Sequence, residues 1–302
     1  MTPSFAFLTA DDWKDYALLD SGDGRKLERF GPYTLVRAEP RAMWRPALPA
    51  RGWESADAVF QLTGEESGGD WHFRRPLPAT WTLRYHGLRF EVQATASRHM
   101  GVFPEQAAHW DWIAAQLQAA RRPARVLNLF GYTGLATLAA AQAGAEVTHV
   151  DASKRAVTQA RRNQDLSGLA QRPIRWIVED ALKYLQREVR RGSRYEGLIL
   201  DPPKFGRGAG GQVWEFFEHF PALLDACREL LSPEPLFVVI TAYAVPASAL
   251  ALYHALEERL KGLGGVLTAG ELVTVEQSAG RWLSQAIFAR WSGLETRTPA
   301  GV

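Results

Sequence analysis

Three apolar runs that each stop abruptly at a turn constrain this chain more than any other feature. Val126 to Phe130 stops at Gly131-Tyr132-Thr133-Gly134, Thr148 to Val150 at Asp151-Ala152-Ser153, and Leu198 to Leu200 at Asp201-Pro202-Pro203-Lys204-Phe205-Gly206. A buried strand that breaks into a glycine turn and then a helix lets main-chain N–H groups and a helix N-terminus approach a polar ligand closely. Asp151, at the end of the next strand, is placed to accept hydrogen bonds from a ribose diol, and a carboxylate there also suits a helix N-cap. Consecutive prolines continue neither a ladder nor a helix, so the third run must turn outward at the edge of a sheet. Open α/β sheets bind their ligands at that edge.

From Gly101 onward apolar strand-like runs alternate with helical patterns, as in a parallel sheet covered on both faces. The spacing predicts helices over 104–120, 134–143, 153–166, 181–191, 213–231 and 248–263. Strands are expected over 126–130, 147–150, 174–178, 197–200 and 236–241, and the last two, 267–275 and 282–291, have no helix between them and therefore pair as a hairpin. Up to His99 the pattern is period-two strands, turn signals and the tryptophans Trp13, Trp44, Trp53, Trp71 and Trp81, large side chains that suit a thin core, though one or two could instead stack on bases. His86-Gly87 reads as a hairpin turn between two of these strands. The expectation is a β-rich (α+β) domain over 1–98 and a doubly wound α/β domain over 99–302.

At 302 residues and 46% hydrophobic content, the chain can bury an α/β core and a second, smaller one. No segment reaches the roughly 18 apolar residues of a membrane span, and no basic stretch precedes a long apolar one at the start, so the sequence reads as cytoplasmic. Cys227 is the single cysteine, which excludes a disulfide framework and a cysteine zinc site, and no metal is expected. A net charge of +2 decides little. Arginines do cluster, at Arg121, Arg122 and Arg125, at Arg155, Arg161 and Arg162, and with Lys183 at Arg187, Arg190, Arg191 and Arg194. Such clusters suit solvated helix faces and helix C-termini as well as a phosphate track.

Gly131 and Gly134 are expected where a side chain would block a ligand or where the backbone turns left-handed, with Asn128, Tyr132 and Thr133 supplying polar groups around them. Ser153 is expected to cap the helix starting at Lys154, which frees Asp151 for a ribose. Asp180 either accepts from the exocyclic amine of an adenine or simply caps the helix behind it. In the proline corner, Asp201 and the Pro202 carbonyl can accept from the N–H of a flat base, Phe205 can stack on its face, and Lys204 raises the positive potential. The glycine-rich stretch from Gly206 to Gln212 suits a mobile lid.

Together with RHMGVFPEQ (Arg98–Gln106), these runs resemble the bacterial family of S-adenosylmethionine-dependent 23S rRNA methyltransferases that includes the cytosine carbon-5 and guanine ring-nitrogen enzymes. The similarity covers roughly residues 14–290, and NLFGYTG, VDAS and DPPKFG are its most specific pieces. It implies a class I methyltransferase domain, a Rossmann-like seven-stranded sheet with an antiparallel terminal strand, behind a smaller recognition domain. The S-adenosyl-L-methionine site is then expected at Asn128, Phe130, Gly131, Tyr132, Thr133, Gly134, Asp151, Ala152, Ser153, Asp180 and Ala181, and the catalytic corner at Asp201, Pro202, Pro203, Lys204 and Phe205. Phe103 and Gln106 join the cofactor set, near its methionine end, through the resemblance alone. The PUA module of some relatives is not recognisable here.

One departure bears on mechanism. Carbon-5 methylation of a pyrimidine needs a thiolate to add to the ring. Relatives with that activity carry a cysteine after the fifth strand, where this chain has Thr241, Ala242 and Tyr243. Cys227 lies instead on a helical stripe with Phe217, Phe220, Leu224 and Leu231, which marks a core thiol. The sequence therefore reads as a cytoplasmic methyltransferase acting on a base of ribosomal RNA at nitrogen. The alternatives are a methyltransferase of a small molecule or a protein, and a cofactor-binding module without catalysis.

Overall fold

A computed structural model of the protein describes residues 3–10, 12–63, 68–96, 98–207, 211 and 213–294. In chain order its elements are β1 (Ser4–Leu8), β2 (Tyr16–Gly22), β3 (Arg25–Phe30), β4 (Tyr33–Ala38), α1 (Ala50–Glu54), β5 (Ala58–Leu62), β6 (Gly69–Phe73), β7 (Trp81–Tyr85), β8 (Leu88–Val92), α2 (Ala107–Ala120), β9 (Arg125–Leu129), α3 (Leu135–Gln142), β10 (Glu146–Asp151), α4 (Lys154–Leu166), β11 (Ile174–Val178), α5 (Ala181–Arg190), β12 (Gly197–Leu200), β13 (Phe205–Arg207), β14 (Val213–Glu215), α6 (Phe216–Leu230), β15 (Phe237–Ala242), α7 (Ala249–Arg259), β16 (Val266–Val275) and β17 (Trp282–Ser292). They gather into two compact units, one of Met1–Leu8, Ala108–Leu272 and Ala286–Val302, the other of Thr9–Ala107 and Val273–Gln285. A single linear boundary at residue 98 does not describe them, because the first strand is built into the large sheet and the stretch between β16 and β17 belongs with the smaller unit.

The large unit is a sheet in the order β1-β16-β17-β15-β12-β9-β10-β11. β9 pairs in parallel with β10 and β12, β12 in parallel with β15, and β17 runs antiparallel to β15. The expected antiparallel terminal strand is present, but the sheet has eight strands rather than seven. The eighth is β1, which pairs in parallel along β16 from Ser4 opposite Thr268 to Leu8 opposite Leu272. Gly270 permits that approach, since a Cβ there would sit 1.7 Å from the Ala6 carbonyl oxygen.

Alternate residues of the central strands serve opposite faces, as the two-residue strand period requires. Leu127, Leu129, Leu198, Leu200, Val238 and Ile240 join one core, while Val126, Ile199, Phe237 and Val239 join the other. Double coverage of this kind is why these strands read as continuous apolar runs. Among the described residues, no helix is long and apolar enough to cross a membrane.

The small unit holds a sheet in the order β2-β3-β4-β5-β6 and the hairpin β7-β8. His86 (φ 41) and Gly87 (φ 88) both have positive φ, as a two-residue type I′ turn demands. Trp13, Trp53 and Trp81 are buried, so they do serve the thin core. A charged cluster lies inside it: Glu28 receives Arg37 Nε and Nη2, each at 2.7 Å, and the Tyr16 hydroxyl at 2.8 Å. Burial would push the Glu28 carboxyl up, but the Arg37 and Lys26 charges and these hydrogen bonds bring it down to about 2.

Candidate functional site

The C-terminal ends of β9, β10 and β12 are adjacent, and each carries one of the three turns found in the sequence. The turn after β9 is conformationally expensive. Phe130, Tyr132 and Gly134 have φ of 56, 49 and 84. For the two bulky residues the left-handed region costs about 1–2 kcal/mol each, and such strain persists only where surrounding contacts over-determine it.

Those contacts are specific. Gly131 N donates to Val150 O at 3.1 Å, and Tyr132 N donates to Asp151 Oδ2 at 2.8 Å. Asn163 Nδ2 of α4 donates to Thr133 O at 3.0 Å. The Phe130 ring lies 5.0 Å from that of Trp214. Gly134 is the residue immediately before α3, which has no side-chain cap and no acid in its first turn. Its first amides are thus not claimed by a side chain, and the macrodipole favours an anion there.

Asp151 ties two turns together. Its Oδ2 takes Tyr132 N, and its Oδ1 takes Ser153 N at 2.7 Å. Burial pushes its carboxyl up, and the amides of Ser153 and Tyr132 pull it back. Each oxygen of a carboxylate has a further lone-pair site for a ribose hydroxyl. Ser153 caps α4 by accepting from Ala156 N at 3.2 Å, as the sequence suggested. Asp180 caps α5, its Oδ1 accepting from Lys183 N at 2.9 Å. Of the two roles open to it, that of cap is therefore visible in the fold. Ala181 is the buried first residue of α5.

Asn128 and Gly131 behave differently from expectation. Asn128 is buried, and its Nδ2 donates downward to Thr137 Oγ1 at 2.9 Å. Thr137 Oγ1 in turn lies 3.0 Å from His149 Nδ1, and burial holds His149 neutral by lowering it to about 3. A Cβ on Gly131 would come within 2.4 Å of this imidazole, so the glycine is required by the polar chain beneath the turn. Its φ is not positive, so a left-handed backbone is not the reason for this glycine. Gly131→Ala is expected to cost about 1–3 kcal/mol by overpacking, measured by denaturant unfolding. The cost should shrink in a His149→Ala background, and an undiminished cost there would mean that the imidazole is not the obstacle.

The third turn forms the other wall. Asp201 N reaches Leu129 O at 3.4 Å, Asp201 is half-buried and Pro202 is buried. The chain then leaves as a short antiparallel ribbon of β13 and β14, with Phe205 opposite Glu215. Trp214 Nε1 donates to Pro203 O at 2.6 Å, and Phe216 N donates to Lys204 O at 3.0 Å. Phe205 is 51% exposed, so its ring is accessible to a partner. Of the expected lid, residues 208–210 and 212 lie outside the described residues.

Sequence reasoning missed Trp214, which fastens the proline corner and packs on Phe130, because it falls in a stretch whose spacing suggests the start of a helix. It also missed Thr137 and His149, whose polar character inside apolar elements was the available signal. Phe103 and Gln106 belong to the small unit, where Gln106 N donates to Phe103 O at 3.1 Å in a 3-10 turn.

Comparison with known proteins agrees with this geometry. The family model of S-adenosylmethionine-dependent methyltransferases matches residues 54–259. The crystal structure of an S-adenosylmethionine-dependent methyltransferase from Agrobacterium tumefaciens superposes with a TM-score of 0.92, at 49% identity over 97% of each chain. Among curated proteins, ribosomal RNA large subunit methyltransferase I of Klebsiella pneumoniae is 30% identical over 152 residues, which is 50% of this chain and 34% of that one. The enzyme of the same name from Aeromonas salmonicida is 38% identical over 147 residues, 48% of this chain and 33% of that one. The chain thus matches about a third of the length of these curated relatives.

Proposed function

The chain belongs to the S-adenosylmethionine-dependent methyltransferase family, and from that premise we propose that it methylates a nitrogen atom of a base in large-subunit (23S) ribosomal RNA. The names of the curated relatives support the substrate class. The observation that carries the choice of nitrogen is the position of the only thiol. Cys227 is buried on α6 among Phe220, Leu224 and Leu230, and burial raises its thiol far above the range in which a thiolate forms. The strand β15 ends in Thr241 and Ala242, with no thiol beside the acceptor corner. Phe217, placed on the same stripe by sequence, is 60% exposed, and Phe216 takes the core position by stacking on Phe220 at 4.5 Å.

S-adenosylmethionine supplies, when bound, an electrophilic methyl group on a sulfonium. The residues of the chain fit such a group: Asp151 can take the ribose diol, and the uncapped start of α3 suits an anionic end. On the acceptor side, Asp201 and the Pro202 carbonyl can hold a base N–H so that the nitrogen lone pair faces the methyl carbon. With the cofactor bound, attack of that lone pair on the methyl carbon would release the sulfur as a neutral thioether, and Asp201 or solvent would take the nitrogen proton. No covalent adduct is needed, so orientation and exclusion of water supply most of the rate. The target base has to be unpaired or flipped out to reach this corner.

Mass spectrometry of 23S rRNA nucleosides from a deletion strain and its parent tests the reading, which requires loss of one N-methylated base. Loss of a 5-methylpyrimidine, or no change, would overturn it. The purified Cys227→Ser protein is expected to keep parental single-turnover rates within about twofold, with at most a modest stability loss for a change at a packed site. Inactivity of a folded, cofactor-binding variant, or an RNA–protein adduct on the parent, would point back to carbon.

A further inference from the structure

The small unit carries a groove of about 790 Å³ that lies outside the residues assigned to cofactor and acceptor. Clefts that accept small ligands span about 300–1,000 Å³. Val36, Val59 and Leu48 give the groove an apolar floor beside Trp53, and Arg25, Arg45, Arg74 and His72 stand around it. Elsewhere in this unit cations sit on carboxylates: Arg37 and Lys26 on Glu28, Arg41 on Glu39, Arg75 on Asp57 and Arg281 on Glu276. Arg25 and Arg45 make no ion pair with any described residue.

Two of these cations, Arg25 and Arg74, are also held in place. The Arg25 guanidinium lies 5.2 Å from the centroid of the Trp53 ring, and that ring is fixed by its Nε1 donating to Asp20 Oδ2 at 2.9 Å. Trp53 is only 7% exposed, so its ring cannot receive a base, but the planar guanidinium over it can, on its outer face. Arg74 Nη1 donates to the carbonyls of Trp53, at 3.2 Å, and Glu54. Asp23 and Glu54 share the rim, which leaves three guanidiniums against two carboxylates. That mixture suits a ligand carrying both phosphates and base amino groups better than a bare anion.

We propose that this groove binds an unstacked nucleotide of a single-stranded RNA segment, with the base on the Arg25 plane and flanking phosphates on Arg45 and Arg74. The proposal rests on RNA being the substrate. It gives the small unit its own contact with the RNA, through a nucleotide other than the methylated base.

Fluorescence anisotropy with a labelled single-stranded oligoribonucleotide tests it on the full chain. Arg25→Gln with Arg45→Gln should weaken binding at least about tenfold, the scale of one lost base stack and a phosphate contact. It should also lower the salt slope by about 0.7, the contribution of one phosphate contact to a single strand. Arg25→Lys should keep the slope and lose several-fold in affinity, because an ammonium does not stack as a plane. S-adenosylmethionine affinity by calorimetry should be unchanged in all three proteins. If the parent binds the strand and both variants bind it equally well, the groove assignment falls while the RNA reading stands. If the parent binds no RNA and methylates none, both fall together.

Discussion

Asp201→Ala is expected to reduce single-turnover methylation of the true RNA substrate by at least about a hundredfold, with the fold and cofactor affinity largely preserved. Asp201 follows β12 directly, and its amide reaches Leu129 O at the end of β9, which brings the residue next to the turn proposed to take the cofactor. The corner is rigid for reasons independent of that carboxylate. Pro202 is buried, the Pro203 carbonyl is held by Trp214, and the Lys204 carbonyl by the amide of Phe216. Removing the side chain is therefore expected to leave the shelf in place but to take away the group proposed to orient the acceptor N–H. Loss of orientation at about 1 Å commonly costs about a hundredfold. The effect should fall on the chemical step, with little change in the concentration of S-adenosylmethionine needed for half-saturation. Trp214→Phe is a useful companion, since it deletes the hydrogen bond to Pro203 while keeping an aromatic ring against Phe130. Parental rates for Asp201→Ala would show that the aspartate is structural and move the acceptor site elsewhere.

The parts of this fold that were legible in the sequence are those whose signal is local. β12 has the expected limits, 197–200, because an apolar run bounded by turn residues reports a strand buried on both faces, and β11, a partly exposed edge strand, also has the expected limits, 174–178. Ser153 was readable as a cap because capping spans only three residues, here from Ser153 Oγ to Ala156 N. β1 was not readable, since five residues cannot establish a period and their partner strand begins at Val266, at the far end of the chain. β13 and β14 are three residues each, too short for any pattern, and the helix expected from 213 begins only at Phe216. The internal contacts of Asn128 and Gly131 were not legible for a related reason. A glycine beside a ligand and a glycine over a buried imidazole look alike until the partner is known, and here the partner is His149, on the neighbouring strand.

Asp151→Ala is expected to weaken S-adenosylmethionine binding by about 1.5–3 kcal/mol, the scale of hydrogen bonds to a charged group, or roughly 10- to 150-fold in Kd. Two losses are combined in that figure. One is the direct loss of an acceptor for the ribose. The other is the release of the Tyr132 and Ser153 amides, which lets the left-handed backbone at Phe130 and Tyr132 relax out of the shape the ligand needs. A cofactor analogue lacking the ribose hydroxyls separates them. If the contact is direct, the parent should bind that analogue weakly and Asp151→Ala should weaken it little further. If Asp151 acts only through the turn, the variant should lose the same factor for both ligands. Acid should have a similar effect on the parent. Burial raises the Asp151 carboxyl against the pull of the two amides, so protonation on lowering the pH removes an acceptor, and affinity should fall toward acid. An Asp151→Ala protein that is folded and binds S-adenosylmethionine as tightly as the parent, at neutral pH by calorimetry, would remove this residue from the cofactor site.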